Sequence, residues 1–241
     1  GAIGIIIPPS IAFIIFALVA GSQMNITINR LFMAGIIPGI LVGIALYIAA
    51  VYVRKRDIKK GLYIPSENEV SRKATGKEQW DAFVKALPGL LIPVIILGGI
   101  YTGFFTPTES AVVAVVYSLI VGLFIKPKGF FKQLFVIFRE ASLQTAVIML
   151  IVSAASVFAY IVTTEQIAQT ISDAILSFTD NKIIILLLVN IVLLIAGAFI
   201  DAISAYYIFV PILMPIMLML DVDPTVFGIF MTINLAIGLF T

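Results

Sequence analysis

The main-chain carbonyl oxygens at the start of this sequence are candidate cation ligands, because a helix break can free them to bind a cation. Gly4 lies in an apolar run that is interrupted by the pair Pro8-Pro9. A regular helix cannot continue through such a pair, because proline has no N–H and its ring clashes with the carbonyl four residues earlier. Carbonyls released in this way coordinate sodium in transporters with broken helices. We therefore predict a first sodium site at the carbonyls of Gly4, Ile7 and Pro8; the alternative is a simple proline kink.

A similar glycine lies in an apolar run at the other end of the sequence. Ala236-Ile237-Gly238-Leu239-Phe240-Thr241 repeats the pattern of Ala2-Ile3-Gly4-Ile5-Ile6-Ile7. We predict a second cation site here, with Gly238 and the carbonyl or hydroxyl of Thr241 as ligands. A broken helix that recurs at a distance is typical of secondary transporters built from repeats.

Two polar side chains beside these breaks are candidates for contact with a substrate. Ser10 follows the proline pair, and Asp201 lies between two long apolar runs, with Gly197 and Ser204 on either side of it. An acid inside a membrane costs about 2.5 to 3.5 kcal/mol on insertion scales, so it needs a partner or a purpose. Asp201 would either support a cation site at the tip of a hairpin or cap the helix that begins at Ala202; both roles are compatible.

Several classes of site are excluded by composition. The sequence has no cysteine and no histidine. That removes disulfides, thiolate metal sites, thiol catalysis and the usual hydrolase triad. We expect no cofactor apart from sodium as the coupling ion, and no nucleic-acid partner.

The elements that must position these groups are membrane helices. Of the 241 residues, 61% are hydrophobic, and the mean hydropathy is +1.17. Several apolar runs approach or exceed the roughly 20 residues that span a bilayer. The runs are 11–21, 31–53, 82–105, 111–125, 145–162, 183–200, 202–220 and one from 226 onward.

The basic residues predict how these runs thread the membrane. All but Arg30 and Lys182 lie in two connectors, around residues 54–85 and 126–139. The positive-inside rule places both connectors in the cytoplasm. The break at Gly4 then runs outward and the break at Gly238 runs inward, which indicates inverted repeats.

The runs 183–200 and 202–220 must together cross the membrane an even number of times. They are either two full spans or one re-entrant hairpin. Their junction, residues 197–204, has no lysine or arginine to hold it in the cytoplasm. We favour the hairpin, with Asp201 near mid-membrane at its tip.

Three further segments have simpler interpretations. Thr106-Pro107-Thr108-Glu109 reads as a capped helix start. The segments 129–140 and 67–85 mix apolar and basic residues, which suggests amphipathic helices on the cytoplasmic surface.

Five motifs occur in a fixed order over essentially the whole sequence. They are Gly4-Ile5-Ile6-Ile7-Pro8-Pro9-Ser10-Ile11, Leu31-Phe32-Met33-Ala34-Gly35-Ile36-Ile37-Pro38-Gly39, Gly103-Phe104-Phe105-Thr106-Pro107-Thr108-Glu109-Ser110-Ala111, Val210-Pro211-Ile212-Leu213-Met214-Pro215 and Asn234-Leu235-Ala236-Ile237-Gly238-Leu239-Phe240-Thr241. With these motifs in this order, the sequence resembles the large membrane (M) subunit of tripartite ATP-independent periplasmic (TRAP) transporters.

The resemblance implies an all-α polytopic membrane protein with an elevator-type fold, a re-entrant hairpin and broken helices. Residues 1–21 would be the first broken helix and residues 183–241 the second hairpin and the start of the second broken helix, both in the transport part. Residues 22–182 would form the scaffold, connectors and linking helices. We read the sequence as part of a longer chain, with the first hairpin before Gly1.

The resemblance also implies the site and its partners. Sodium site 1 would use the carbonyls of Gly4, Ile7 and Pro8, and site 2 would use Gly197, Gly238 and Thr241. Ser204 and Asp201 would lie at the hairpin tip, although the family often has Asp-Pro-Thr where this sequence has Asp201-Ala202-Ile203. A periplasmic binding (P) subunit would deliver a small organic anion bearing a carboxylate, such as a dicarboxylate or sialic acid. A small membrane (Q) subunit would brace the scaffold in the bacterial inner membrane.

Three other functions remain open at this point. One is a stand-alone sodium/dicarboxylate transporter that needs no binding protein. Another is an intramembrane enzyme with Asp201 and Glu109 as catalytic acids, and the last is an assembly subunit whose breaks serve only as packing kinks. Sodium-dependent uptake and its need for a binding protein would separate them.

Overall fold

A computed structural model describes residues 3–21, 26–61, 75–125, 129–179 and 181–239, which form ten α-helices with no strand among them. This confirms the predicted all-α class. The helices are α1 (Ile3–Ile6), α2 (Ile11–Gly21), α3 (Ile28–Lys59), α4 (Gly76–Tyr101), α5 (Pro107–Ile125), α6 (Phe130–Thr164), α7 (Ile167–Phe178), α8 (Lys182–Phe199), α9 (Ala202–Met219) and α10 (Pro224–Gly238).

Six of these helices are long and apolar enough to cross a membrane: α3, α4, α5, α6, α8 and α9. Helices α2 and α10 are apolar but shorter. Many large apolar side chains on the long helices are exposed, such as Tyr47, Phe124 and Leu150. Such surfaces are stable in lipid, and the protein is a multi-pass membrane protein.

Contacts between Cα atoms divide the protein into two units. The first contains the described residues up to Gly39 and those from Phe131 onward. In it α10 packs against α8, α9, α1 and α2, while α9 also packs against α2 and α7. The core holds fully buried aromatic side chains from four of these helices: Phe13, Phe16, Phe32, Tyr206 and Phe227.

The second unit, Ile40–Phe130, is built around the pair α4 and α5. Gly99 permits their close approach, since a Cβ built there would lie 2.6 Å from the Phe105 ring and 3.2 Å from Ser110 Oγ. The Tyr117 hydroxyl donates to the Pro88 carbonyl at 3.0 Å. Pro88 and Pro93 lie inside α4 and have no N–H, so they remove the helical donors of the Val84 and Gly89 carbonyls.

Helices α8 and α9 are joined at Ile200 and Asp201 and are 18 residues each. At 1.5 Å per residue each is about 27 Å long, close to the ~30 Å hydrocarbon thickness. Length alone therefore permits either two spans or a re-entrant pair. The hairpin with Asp201 near mid-membrane stays a prediction.

Two segments differ from the sequence interpretation. The amphipathic segment at 129–140 is not a separate surface helix, because α6 runs without interruption from Phe130 to Thr164. Helix α7 was not predicted at all, since the carboxylates Glu165 and Asp173 suggested an external loop. Its apolar residues Ile167, Ile171 and Ile175 recur every four positions, which is the signal that could have found it.

The predicted division at residues 1–21, 22–182 and 183–241 concerns which parts move together, and it stays a prediction. Part of the second predicted surface helix, residues 67–74, lies outside the described residues. So does Thr241 of the second predicted sodium site.

Candidate functional site

The first helix break lies where the proline pair predicts it. Helix α1 ends at Ile6, the backbone bends over Ile7–Pro9, and α2 begins at Ile11. The Pro8-Pro9 peptide bond is cis. The predicted interruption of the helix at this position is confirmed.

The prolines determine which carbonyls are released. In a continuous helix the carbonyls of Gly4 and Ile5 would accept from the N–H groups of residues 8 and 9. Both of those residues are prolines and have no N–H. The Ile5 carbonyl instead accepts from the Ser10 hydroxyl. Gly4 thus loses its helical partner by covalent structure, which suits the role of a cation ligand.

Ser10 holds the two sides of this break together. Its side chain is 1% exposed. Its Oγ donates to the Ile5 carbonyl of the first segment and accepts from the Phe13 N–H of α2 at 3.5 Å. Both of these bonds are to the main chain, so the structure gives Ser10 a positioning role at the break.

Two glycines of the second predicted site are in contact. A Cβ built on Gly238 would lie 2.4 Å from the carbonyl carbon of Gly197 and 2.8 Å from its oxygen. A Cβ built on Gly197 would lie 3.1 Å from the Cα of Leu235 and 3.3 Å from that of Gly238. The backbones of α8 and α10 therefore touch, and two residues separated by 40 others in the sequence share one location.

This contact brings two helix C-termini together. Gly238 is the last residue of α10, and Gly197 lies in the last turn of α8, which ends at Phe199. Each helix C-terminus has a partial charge of roughly −0.5 from its carbonyl groups. Two such ends in contact favour a cation nearby.

The described residues contain no group of three or more His, Cys, Asp or Glu side chains that could hold a metal ion. Carbonyl and hydroxyl oxygens are the ligands that remain at the breaks. This donor set fits an alkali cation, and both sets of predicted ligands supply it. Gly4, Ile7 and Pro8 lie at the first break, and Gly197 with Gly238 at the second.

Asp201 and Ser204 are adjacent, as the sequence predicts for a tip. Asp201 caps α9: its carboxylate accepts from the Ser204 N–H at 3.1 Å and from the Ser204 hydroxyl at 2.7 Å. The capping interpretation is therefore confirmed. Because the Ser204 proton is directed at Asp201, the lone pairs of Ser204 Oγ remain available to a donor.

An aromatic cluster behind the two breaks holds α2, α9 and α10 together. The Phe16 ring lies edge-on to Tyr206 at 5.8 Å and to Phe227 at 6.0 Å. Gly228 makes room for it, since a Cβ there would be 2.5 Å from the Phe16 ring. Sequence patterns did not identify this cluster, because apolar residues occur on every face of these helices.

Two buried hydrogen bonds lie beside this cluster, and one of them links α9 to α10. Thr232 donates its hydroxyl proton to the Gly228 carbonyl at 2.6 Å. The 2.8 Å contact between the Tyr206 and Thr232 hydroxyls must then have Tyr206 as the donor. Helices α9 and α10 are thereby linked by a satisfied polar pair inside the membrane.

A cavity of about 390 Å³ lies beside the tip, between α6 and α9. Tyr207 lines it and is 7% exposed, and its hydroxyl has no hydrogen-bond partner among the residues that the structure describes. The lining residues are Ile151, Ala154, Ala155, Phe158, Ser204, Tyr207 and Ile208. No pattern in the sequence distinguishes Tyr207 from its neighbours.

The other end of α10 is fixed by Asp223. Its carboxylate accepts from the N–H groups of Thr225 at 2.7 Å and Val226 at 3.4 Å. These hydrogen bonds, with a smaller contribution from Arg30, hold the pKa of Asp223 below its usual value. The neighbouring turn is joined to α8, because Lys182 Nζ donates to the Asp221 carbonyl at 3.3 Å.

Glu109 is occupied by its own helix start. It accepts from the Thr106 N–H at 2.8 Å and from the Thr106 hydroxyl at 2.9 Å, while its own N–H donates to Thr106 Oγ1 at 3.3 Å. This confirms the predicted capping box. A carboxylate committed in this way is a poor candidate for a catalytic acid.

One family model matches residues 1–241 and is described as "Tripartite ATP-independent periplasmic transporter, DctM component". Curated relatives that align over nearly the whole of this chain are also named as TRAP transporter permeases. The chain is 40% identical over 242 residues to the C4-dicarboxylate TRAP transporter large permease protein DctM of Pseudomonas aeruginosa, covering 100% of this chain and 53% of that protein. It is 37% identical over 240 residues to the sialic acid large permease protein SiaM of Vibrio cholerae, covering 99% and 53%.

A third relative combines two components in its name. It is the isethionate TRAP transporter permease protein DctMQ of Oleidesulfovibrio alaskensis, 39% identical over 241 residues, with 100% of this chain and 36% of that protein covered. The chain thus spans between about a third and about half of the length of these relatives.

Proposed function

Since this chain belongs to the DctM family of tripartite ATP-independent periplasmic transporters, we propose that it imports a small organic anion together with sodium. The solute bears a carboxylate, and the protein lies in the bacterial inner membrane. A periplasmic binding subunit delivers the solute, and a small membrane subunit braces the scaffold. The relatives' names support an organic anion, because C4-dicarboxylate and sialic acid bear carboxylates and isethionate is a sulfonate.

The observation that carries the proposal is the meeting of two helix C-termini at Gly197 and Gly238. Backbone carbonyls there, and at the break after α1, are chemically suited to sodium. Under the proposal, Gly4, Ile7 and Pro8 hold one ion, and Gly197, Gly238 and Thr241 hold another. The positive charge would offset the charge of the solute in a membrane where an unpaired ion is costly.

The chain's own residues would then link ion binding to solute binding. Gly197 lies in the last turn of α8, four residues before Asp201. A change in the position of that turn reaches Asp201 and Ser204 through the short connection at Ile200. At the first break, the Ser10 hydroxyl joins the two sides and would position the carbonyls between them.

Movement of the solute would follow an elevator mechanism. The helices that carry the two breaks and the tip would slide relative to the scaffold, exposing the tip first outside and then inside. Sodium and solute transport are coupled if this movement occurs only when ions and solute are both bound, or when neither is. Solute uptake must then depend on sodium.

The test is uptake of radiolabelled organic acids by proteoliposomes that contain the complete transporter. We expect uptake with the binding protein present and an inward sodium gradient, and none when potassium replaces sodium. Uptake that persists unchanged in potassium would contradict sodium coupling. Uptake that needs sodium but no binding protein would favour the stand-alone transporter.

A further inference from the structure

The C-terminal end of α3 carries an unusual concentration of positive charge. Between Arg54 and Lys60 the sequence has five basic residues and one acidic residue, Asp57. Helix α3 has 32 residues, which is about 48 Å at 1.5 Å per residue and exceeds the ~30 Å hydrocarbon core. Because the apolar run ends at Val53, the basic end extends beyond the hydrocarbon into the headgroup region.

Three of the five basic side chains share one face of the helix with a tyrosine. Tyr52, Lys55, Arg56 and Lys59 have the spacing i, i+3, i+4 and i+7, which places them on the same side of the helix. All four are exposed. Asp57 lies more than a quarter turn away, although it accepts from Arg56 Nε at 3.3 Å. Together with Ile58, these four residues line a shallow groove of about 460 Å³.

We infer that this face of α3 is a binding site for the phosphate headgroup of an anionic phospholipid. An exposed tyrosine at the end of an apolar run lies at the membrane interface, and Tyr52 is 68% exposed. The lysine and arginine side chains one turn further along reach the level of lipid phosphates. Basic clusters immediately cytoplasmic of a membrane helix attract anionic lipids. The occupant is a lipid because the groove is continuous with the lipid-facing surface of the same helix.

The second basic region supplies a matched control. Lys132 and Arg139 lie on α6, in the other connector that the charge pattern places in the cytoplasm. They are seven residues apart, with the exposed aromatic side chains Phe131, Phe135 and Phe138 between and beside them. Changing both of them removes the same charge as changing Lys55 and Lys59. It leaves the groove on α3 intact.

The test is binding of phosphatidylglycerol to the detergent-purified complete transporter, measured by native mass spectrometry over a lipid titration. Phosphatidylcholine is the zwitterionic control. Loss of one basic residue near an anionic surface corresponds to about a fivefold change in affinity. We expect Lys55→Gln with Lys59→Gln to weaken phosphatidylglycerol binding about 25-fold, on the same basis. Lys55→Arg with Lys59→Arg should retain binding, because both positive charges stay in the groove.

Three results would overturn the inference. Equal binding of phosphatidylcholine would show that charge is not recognised. Equal weakening by Lys132→Gln with Arg139→Gln would show general attraction without a site on α3. Competition by soluble glycerol phosphate at concentrations similar to those of the lipid would show that a free phosphate, not a membrane lipid, is the ligand.

Discussion

At the scale of residues, two adjacent tyrosines of α9 differ in one atom's surroundings. The Tyr206 hydroxyl has Thr232 as a partner at 2.8 Å, whereas the buried Tyr207 hydroxyl has none within the described part of the chain. A satisfied hydrogen bond contributes about 0.5 to 1.5 kcal/mol, and a buried hydroxyl without a partner costs about 1 to 3 kcal/mol. We expect Tyr206→Phe to destabilise the protein by about 1 kcal/mol. Tyr207→Phe should leave stability unchanged or raise it.

The two variants are measured together by equilibrium unfolding in detergent. Each variant removes one phenolic hydroxyl group, and the two positions are neighbours in one helix, so each variant serves as the control of the other. A larger loss of stability in Tyr207→Phe than in Tyr206→Phe would contradict the assignment. It would mean that the Tyr207 hydroxyl has a partner in the folded protein.

At the scale of elements, the contact between α8 and α10 leaves no room for a side chain. Gly238→Ala would place a methyl group 2.4 Å from a backbone atom of Gly197, which must separate the helices. Overpacking of this kind costs about 1 to 3 kcal/mol. If sodium is held where these helix ends meet, the variant should also lose the stabilisation that sodium gives to the folded state.

The measurement is the thermal unfolding midpoint in sodium and in potassium. Gly98→Ala is the control, because a Cβ at Gly98, inside α4, meets nothing within 4 Å. The control should keep the sodium response. A Gly238→Ala protein with an undiminished sodium response would show that the ion is bound elsewhere.

The start of α10 gives a prediction on pH. Hydrogen bonds from Thr225 and Val226 lower the pKa of Asp223 in the folded protein, so its carboxylate contributes stability at pH values above its usual pKa of about 3.9. That contribution is lost as the pH falls through the lowered value. We expect acid to destabilise the wild type more than Asp223→Asn, which keeps a capping oxygen but does not titrate. Unfolding midpoints between pH 6 and pH 3 test this, and parallel curves would contradict it.

Several helix boundaries could be predicted from the sequence, because one or two residues fix where the helix begins or ends. The proline pair ends α1 before Ile7, and α2 has the predicted bounds Ile11–Gly21. Thr106 and Glu109 begin α5 through their capping box. Helix α7 is hard to predict, because the carboxylates Glu165 and Asp173 favour an external loop whereas the spacing of its isoleucines favours a helix. The continuity of α6 was missed because basic residues in a helix do not end it.

The partners of site residues were harder to predict. The contact between Gly197 and Gly238 depends on how two distant helices cross, which no local pattern encodes; here only the family resemblance indicated the pair. Tyr206 and Tyr207 are indistinguishable in the sequence. Their difference arises from Thr232, which lies on another helix.

At the scale of the whole molecule, the threading through the membrane can be tested directly. The sequence has no cysteine, so single cysteine variants give one reactive position each. We expect Lys60→Cys to react with a membrane-impermeant reagent from the cytoplasmic side and Asp221→Cys from the periplasmic side. Ile200→Cys, at the tip, should react from the cytoplasm more slowly than Lys60→Cys and be protected by sodium with solute.

The comparison of labelling rates in inside-out and right-side-out vesicles decides between the two topologies. Equal and rapid cytoplasmic labelling of Ile200→Cys and Lys60→Cys, without protection, would mean that α8 and α9 are two full spans. Slow, protected labelling supports the re-entrant pair. The outcome at Ile200 is independent of the identity of the solute.

The backbone contact between Gly197 and Gly238 also determines how α8 and α10 can move. Packed helices normally interlock, because ridges of side chains on one fit grooves on the other. Gly197 and Gly238 have no side chains to interlock, so at this point the two helices meet backbone to backbone. At the opposite end the Lys182 ammonium donates to the Asp221 carbonyl at 3.3 Å, just before α10 begins. With a connection near each end, α8 and α10 should travel as a single rigid unit, so that a displacement at one end of the pair is felt at the other.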